Sequence, residues 1–329
     1  MELCEIWEQA AKQTLLGKSP VILRDLNGQK AFLAQPEEAP SRPGHGGVSL
    51  WEENGKQWCS QQLFPRQRLI LCGAGHIAVP VCRLALMLGF SVTVLDDRAE
   101  YAAPERFLGA QVLTGDFSER IYSLSSSGEK LWFVIVTRGH AADRDCLKAA
   151  LKNPFSYIGM IGSRNKVAKT MEALQQEGVS PALLNQVHAP IGLPIGAVTP
   201  EEIAVSIAAQ LIEVRSGLKL GAYLGNDVLE SLKNGQGKAV VTVLSKKGSG
   251  PRGAGAVMVL KKDLTLCGTV GGGLLEREAA EAAGQLKPGE TKLLPCQINS
   301  QAAADSGMIC GGEVLLLLES LEKKEEACD

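Results

Sequence analysis

Apolar runs alternate with segments of helical periodicity through the middle of the chain. Short runs at 69–72, 91–95, 110–113, 131–137 and 157–161 predict strands, and the segments between several of them space their apolar residues as helices do. Strands that alternate with helices form a parallel sheet covered on both faces. A capping box with proline, TPEE at 199–202, begins a last helix that ends at Gly217. We therefore predict a Rossmann-like, doubly wound α/β domain over residues 65–220.

The regions on either side of this domain have a different pattern. Runs at 240–244, 256–260 and 314–318 predict strands, and a helix follows three glycines, so residues 221–320 read as a smaller, glycine-rich α+β domain with a charged tail at 321–329. Residues 1–64 begin with a helix, a Gly-Lys pair and an apolar strand, spaced as in 226–248. This similarity has two interpretations: a degenerate repeat of the C-terminal domain, or chance similarity of one helix–strand unit.

Composition excludes several functional classes. The chain has 329 residues, a formal net charge of −2 and 5% aromatic residues, and it contains no basic run, which argues against a nucleic-acid partner. No apolar run approaches membrane-spanning length, and the N-terminus reads as a polar amphipathic helix rather than a signal peptide. We therefore expect a cytoplasmic protein. Nine cysteines without a CxxC pair argue against disulfides and zinc clusters.

A glycine motif joins the first strand of the predicted sheet to its helix. Gly73, Gly75 and Ala78 fit G-x-G-x-x-(G/A), in which the glycines permit a tight turn and close approach of a phosphate to a helix N-terminus. Asp97 lies about twenty positions further on, where a ribose hydroxyl is held in such folds. Arg98 suits a second phosphate or a structural ion pair. The motif predicts a nucleotide-type ligand, which leaves a nicotinamide dinucleotide open.

Further polar residues follow other predicted strands, at the sheet edge where ligands bind in such folds. His76 and His140 fit ligands, proton carriers or hydrogen-bonded loop residues. Ser163 and Arg164, with Lys166, begin a helix and are candidates for holding an anion; a solvated first turn is the alternative.

The glycine-rich C-terminal region supplies a second group of candidates. Gly271, Gly272 and Gly273 precede a helix and permit close approach of a ligand, and Glu276 lies in the first turn of that helix. Cys310 lies in MICGG, where neighbouring glycines leave a thiol accessible and backbone N–H groups favour its thiolate. Cys310 is thus a candidate for catalysis or ligation, although a small core residue is the alternative.

Together these motifs resemble the XdhC/CoxI family of xanthine dehydrogenase accessory factors over about residues 64–320. The resemblance rests on GAGH with VTVLDDR, YIGMIGSRNK, HAPIGLPIGA with TPEEIAVSI, GSGPR, GTVGGG-x-x-E and MICGG. It implies a chaperone rather than a catalyst, which binds molybdenum cofactor (molybdopterin or its nucleotide form), supports its sulfuration and delivers it to an apo molybdenum hydroxylase. A cysteine desulfurase is an implied further partner, and we expect a homodimer.

The resemblance assigns roles in a cleft between the domains. The implied cofactor-binding residues are Gly73, Gly75, His76, Asp97, Arg98, His140, Ser163, Arg164, Ser249, Arg252, Gly271, Gly272 and Gly273. Among them Gly73, Gly75 and His76 would approach a phosphate or pterin. Cys310 would contact the metal or its sulfur, and Glu276 would orient or neutralise that group.

The chain also departs from the family pattern. Leu274 stands where many relatives have Cys, so that Cys310 alone remains for that role. Arg138 replaces a frequent His and Gln210 a frequent Glu, and the glycine-rich part follows the Rossmann part, whereas relatives commonly place it first. Two other functions therefore stay open: an NAD(P)-dependent oxidoreductase with His76 or His140 as general acid/base, and a non-catalytic scaffold that docks the hydroxylase or a sulfurtransferase.

Overall fold

The computed structural model describes residues 1–39, 47–124, 130–218, 224–248, 252–298 and 312–323. The chain divides into two compact units. Unit 1 combines Met1–Pro65 with Lys219–Asp329, and unit 2 is Arg66–Leu218. Residues 1–64, which the sequence sets apart as a segment of their own, thus belong to the same unit as the glycine-rich region.

Helices and strands are numbered in chain order. The helices are α1 (Leu3–Leu15), α2 (Ala78–Met87), α3 (Phe117–Leu124), α4 (His140–Ala150), α5 (Arg164–Gln176), α6 (Pro181–Leu184), α7 (Pro200–Gly217), α8 (Asn226–Lys233) and α9 (Gly273–Gly284). The strands are β1 (Val21–Asp25), β2 (Lys30–Ala34), β3 (Val48–Glu53), β4 (Lys56–Gln62), β5 (Arg68–Cys72), β6 (Ser91–Asp96), β7 (Gln111–Thr114), β8 (Leu131–Ile135), β9 (Phe155–Met160), β10 (Gly237–Gly248), β11 (Val257–Lys261), β12 (Leu266–Gly268), β13 (Thr291–Ile298) and β14 (Gly312–Ser320). Among the residues described, no helix is long and apolar enough to cross a membrane.

Unit 2 is the predicted doubly wound fold. Its five strands are parallel in the order β7-β6-β5-β8-β9. Helices α2 and α7 pack on one face, and α3, α4 and α5 pack on the other. All five residues of β8 are buried, as a central strand covered on both faces requires. The strand predicted to end at His188 is instead a single parallel bridge to Gly159.

Helix α7 begins as its sequence predicts and anchors the loop before it. The Thr199 hydroxyl accepts the N–H of Glu202, and the Glu202 carboxylate accepts the N–H of Thr199. Further along the helix, Gln210 Oε1 accepts the Tyr157 hydroxyl at 2.6 Å and the Gly192 N–H at 2.9 Å. Gln210 thus ties the loop to β9 through its side chain.

Unit 1 contains two antiparallel sheets of similar topology. Their orders are β2-β1-β4-β3 and β12-β11-β10-β14-β13. In the first sheet, β1 follows α1 and lies between its hairpin partner β2 and strand β4. In the second sheet, β10 follows α8 and lies between its hairpin partner β11 and strand β14. The helices α1 and α8 are followed by Gly17 and Gly235, whose φ angles are 84° and 62°. This shared order supports the repeat hypothesis, which stays a prediction.

A single core joins the two chain segments of unit 1. Trp7 and Ile22 pack in one apolar cluster with Val240 and Leu321. Within the same unit, Arg24 on β1 donates to Glu319 on β14 at 2.6 and 2.9 Å, and both side chains are buried. The indole N–H of Trp7 donates to the same carboxylate at 3.2 Å.

Candidate functional site

The glycine turn after β5 packs directly against the end of β8. Gly73 has φ +104°, and a Cβ there would lie 2.5 Å from the Val136 carbonyl oxygen and 3.0 Å from the Thr137 Cα. Only glycine therefore fits at 73. At Gly75 a Cβ would meet no heavy atom within 4 Å. The protein leaves open space beside Gly75, as the phosphate interpretation expects.

The peptide groups of Ala74 are held from both sides. The Ala74 N–H donates to Asp96 Oδ2 at 2.7 Å, and Arg106 Nη1 donates to the Ala74 carbonyl at 2.9 Å. Asp96 also accepts the backbone N–H of Arg98 at 3.1 Å and two guanidinium donors of Arg98 at 2.9 and 3.1 Å. These hydrogen bonds hold the turn at Ala74 from both sides.

The buried Asp96 carboxylate is stabilised as an anion. Burial raises its pKa, but the hydrogen bonds from Arg98 and from the Ala74 N–H outweigh this effect and hold the pKa below its ordinary value. Four donors occupy the two carboxylate oxygens. Since a carboxylate has about four lone-pair positions, Asp96 has no acceptor left for a ligand.

A cavity of about 370 Å³ opens beside this turn, at the carboxyl ends of β5, β6 and β8. Its lining combines two guanidinium groups with one carboxylate. The lining residues are Gly73, Gly75, His76, Ile77, Asp96, Arg98, Val136, Thr137, Arg138 and Pro200. Helix α2 begins here without a side-chain cap, so its first N–H groups remain available to an anion.

Asp97 and Arg138 lie near the rim of this cavity. Asp97 is 45% exposed, and its carboxylate oxygens lie 3.7 Å from Arg98 Nε and 3.7 Å from Arg138 Nη2. Asp97 is thus the exposed carboxylate of the pair, whereas Asp96 is buried. Arg98 stacks on Tyr101 with its guanidinium carbon 3.6 Å from the ring centre, which fixes the cation in place.

The other predicted anion ligands of unit 2 do not line the cavity. The Ser163 hydroxyl accepts the N–H of Lys166 at 3.3 Å and so caps α5. Arg164 is exposed, and His140, also exposed, is the first residue of α4. The structure thus brings together Gly73, Gly75, His76 and Arg98 at the cavity, with Asp97 at the rim, but not the group at 163–164.

Sequence reasoning missed Asp143, a buried carboxylate near the cavity. Thr137 lines the cavity and donates to Asp143 Oδ1 at 2.6 Å, and Asp143 is fully buried. The Nζ atom of Lys166 pairs with the other oxygen of this carboxylate. An Asp in the first turn of a helix is ordinarily a solvated residue, so nothing in the local sequence marks Asp143 as buried.

In unit 1 the three-glycine turn closes on the carboxylate of Glu276. Oxygen Oε1 accepts the N–H groups of Val270 at 3.2 Å, Gly271 at 3.4 Å and Gly272 at 2.9 Å, and it also accepts the Thr269 hydroxyl. Burial raises the pKa of Glu276, but these hydrogen bonds lower it to below the ordinary value. Glu276 therefore organises the turn.

The remaining candidates of unit 1 are placed only in part. Leu274, at the position where relatives often have Cys, is 56% exposed on the first turn of α9. Arg252 is exposed. Ser249 and Cys310 lie outside the described residues. Within the described ranges, no group of three or more His, Cys, Asp or Glu side chains is arranged to hold a metal ion.

Two family models match successive parts of the chain. The XdhC Rossmann domain matches residues 69–211, and the XdhC and CoxI family matches residues 231–295. The first range contains the glycine turn and its cavity. The second contains the three-glycine turn with Glu276.

Two curated proteins are similar over about half of this chain. The Uncharacterized protein YqeB of Escherichia coli (strain K12) is 33% identical over 161 residues, which are 48% of this chain and 29% of YqeB. A probable xanthine dehydrogenase subunit of Bacillus subtilis (strain 168) is 35% identical over 155 residues, 47% of this chain and 45% of that protein. The chain thus spans less than half the length of either relative.

A solved structure shares the architecture. The crystal structure of a xanthine dehydrogenase from Bacillus halodurans is 25% identical with a TM-score of 0.52, and the similarity covers 63% of this chain and 65% of that one. Both family models fall on the regions that contain the two glycine turns, in the order Rossmann part first. The chain belongs to the XdhC/CoxI family.

Proposed function

We propose that this protein is a cytoplasmic accessory factor that binds molybdenum cofactor and assists its sulfuration and insertion into a molybdenum hydroxylase of the xanthine dehydrogenase type. Family membership supports this proposal, as does similarity to two proteins named as xanthine dehydrogenases. The cofactor is cargo here, and its partners are the apo hydroxylase, a cysteine desulfurase and a second copy of this chain.

The observation that carries the proposal is the cavity of unit 2. Open space beside Gly75, uncapped N–H groups at the start of α2 and the guanidinium of Arg138 fit a phosphate group. The volume of about 370 Å³ is in the range of small-molecule sites. His76 lies at the same opening. We assign the phosphate end of the pterin, or of its nucleotide form, to this cavity.

The state of Asp96 argues against a dinucleotide in the usual pose. In dinucleotide-binding folds the acidic residue at the end of the second strand accepts ribose hydroxyls. Here Asp96 ends β6, but its oxygens are occupied by Ala74 and Arg98. The exposed Asp97 could accept a hydroxyl only beside Arg98 and Arg138, which favour an anion. This arrangement argues against NAD, whose ribose hydroxyls need a free acceptor, whereas the two guanidinium groups suit a phosphate group, including the 2′-phosphate of NADP.

For the glycine-rich region the proposal rests on the family resemblance, which implies handling of molybdenum or sulfur there. Cys310 supplies the thiol in this proposal. Glu276 is assigned a positioning role, since its Oε1 already holds the turn at Gly271 and Gly272. The proposal does not use Leu274, whose side chain has no ligand atom for a metal or sulfur.

Reconstitution of an apo molybdenum hydroxylase tests this function. The hydroxylase is incubated anaerobically with molybdenum cofactor, a cysteine desulfurase and wild-type protein or a variant, and hydroxylase activity is then measured. We expect the wild-type protein to raise the activity, Cys310→Ala to lose this gain, and Cys4→Ala, which removes a half-buried thiol elsewhere, to keep it.

Three other outcomes would count against parts of the proposal. A Cys310→Ala protein as active as the wild type would remove the role of that thiol. A wild-type protein that binds the hydroxylase but not the cofactor would favour the docking scaffold. A protein that neither binds cofactor nor changes hydroxylase activity would overturn the proposed function.

A further inference from the structure

A buried carboxylate lies directly behind one polar residue of the cavity. The Thr137 hydroxyl is 2.6 Å from Asp143 Oδ1, and Thr137 itself lines the cavity. Asp143 has no exposed surface. Gly73 sits against the backbone of Thr137, with an added Cβ only 3.0 Å from the Thr137 Cα. Thr137 is therefore fixed next to the glycine turn.

Lys166 pairs with this carboxylate on the side away from Thr137. Its Nζ atom pairs with Asp143 Oδ2, and the side chain is only 18% exposed. Gly162 makes room for it, because a Cβ at 162 would lie 3.0 Å from Lys166 Cδ. The Lys166 ammonium has only donors, so Oδ2 of Asp143 accepts from Lys166 and Oδ1 is the acceptor that faces Thr137.

The pairing of Asp143 with Lys166 decides the direction of the hydrogen bond between Thr137 and Asp143. A threonine hydroxyl has one proton and two lone pairs. Both protein neighbours of this hydroxyl, Asp143 Oδ1 at 2.6 Å and the Gly139 carbonyl at 3.4 Å, are acceptors. The proton is therefore committed to Asp143, and Thr137 offers only lone pairs to the cavity.

We infer that Thr137 is a specificity residue that accepts a hydrogen bond from the ligand, and that Asp143 and Lys166 are positioning residues that enforce this polarity. The ligand is then an anion that also carries an O–H or N–H donor, such as a phosphorylated pterin or a nucleotide. An anion without an O–H or N–H group can bind at the glycine turn but cannot donate a hydrogen bond to Thr137. This inference rests on the proposed function in one respect, the use of the unit 2 cavity for the cargo.

Equilibrium titration of the full chain with three probes tests the inference. The probes are molybdenum cofactor and AMP, which carry donors, and sulfate, which has none at neutral pH. Replacing Thr137 by Val removes one hydrogen bond, so we expect affinity for a donor-bearing probe to fall roughly three- to tenfold, with sulfate affinity unchanged. Thr137→Ser should retain binding, and Thr170→Val, which removes a hydroxyl that donates to its own helix, serves as the control.

Asp143→Asn should change the preference of the protein between sulfate and the donor-bearing probes. A residue that only stabilised the fold would not change this preference. Lys166 needs an acceptor, so the amide oxygen would face Lys166 and the amide N–H₂ would face Thr137. The freed hydroxyl proton of Thr137 would then be available to an anion in the cavity as well as to the Gly139 carbonyl oxygen at 3.4 Å, and we expect sulfate to gain affinity relative to the donor-bearing probes. Because a buried Asn beside Lys166 can destabilise the fold, the Thr137 variants carry the test if this protein does not fold.

The probes separate this inference from the proposed function. A wild-type protein that binds AMP but not molybdenum cofactor, with AMP binding weakened by Thr137→Val, would sustain the inference while the proposed function fails. Equal weakening of sulfate and donor-bearing probes, or no weakening of either, would overturn the inference. So would a wild-type protein that prefers sulfate, or that binds none of the three.

Discussion

Two glycines in one turn are required for different physical reasons. Gly73 is demanded by the protein itself, since its φ is +104° and the Val136 carbonyl oxygen lies 2.5 Å from where a Cβ would be. Gly75 faces open space and meets no protein atom within 4 Å of that position. The protein itself therefore does not require glycine at 75, and under the proposed function the ligand does.

Alanine at each glycine should separate these two requirements. We expect Gly73→Ala to lower the free energy of unfolding by about 2–4 kcal/mol, through left-handed backbone strain and contact with Val136. Gly75→Ala should change it by less than about 0.5 kcal/mol but weaken cofactor binding. Urea unfolding and equilibrium binding measure the two effects. Equal stability of the two variants would contradict this division.

The Asp96 carboxylate should make stability depend on pH in a defined window. In the folded protein, Arg98 and the Ala74 N–H lower the pKa of Asp96. Its contribution to the free energy of unfolding is therefore complete above the unfolded pKa of about 4 and is lost as pH falls through the folded pKa. Urea unfolding of the wild type and Asp96→Asn at pH 7, 5, 4 and 3 measures it. Glu276 titrates in the same direction in both proteins, so the difference between the proteins isolates Asp96.

We expect Asp96→Asn to be less stable at pH 7 and to approach the wild type as the pH falls toward 3. A constant difference across this range would show that the charge of Asp96 contributes nothing.

Among the helices and strands, strong hydrophobic periodicity predicted the sheet of unit 2. A helix with few buried residues, α3, and a strand with a proline, β13, were not predicted. The buried run of β8 and the capping box of α7 are visible in the sequence. Helix α3 was missed because only Phe117 and Ile121 of its eight residues are buried. Strand β13 contains Pro295, which argues against a strand; it is tolerated because β13 is at the sheet edge.

The turn before α9 depends on the charge of one side chain. We expect Glu276→Gln to lower the free energy of unfolding by about 1–2 kcal/mol, because it weakens several charge-assisted hydrogen bonds. Hydrogen exchange of the Gly271 and Gly272 amides should become faster. The exposed Glu278→Gln on the same helix is the matched control. Unchanged exchange at these two amides in Glu276→Gln would contradict the organising role.

At the scale of the whole molecule, unit 1 is assembled from distant parts of the chain. Arg24 and Glu319 are 295 residues apart in sequence, yet they form a buried pair. Sequence patterns report local periodicity, so they predicted α1 and β1 in the N-terminal segment and several elements of the C-terminal segment, but not this shared core. The same limit applies to Asp143 and Lys166, whose pairing depends on how α4 and α5 pack.

Removing one charge of the Arg24–Glu319 pair should destabilise unit 1 strongly. Glu319→Gln leaves a buried guanidinium without its counter-charge, and we expect a loss of about 3–5 kcal/mol. The double replacement Arg24→Met with Glu319→Met should recover most of this loss, since apolar residues of similar volume often substitute for a buried pair. Chemical unfolding of both variants is the measurement. A double variant no more stable than Glu319→Gln would contradict this account of the pair.

We assign the anionic end of molybdenum cofactor to the glycine-turn cavity of unit 2. The most direct test of this central claim is equilibrium binding of anaerobically prepared cofactor, NAD(H) and NADP(H) to the wild type and to Gly75→Asp, whose side chain would enter the open space beside the turn. We predict cofactor binding in preference to both dinucleotides, and its loss in Gly75→Asp with the fold intact. Binding of a nicotinamide dinucleotide alone, lost in Gly75→Asp, would contradict the claim and assign the cavity to an oxidoreductase.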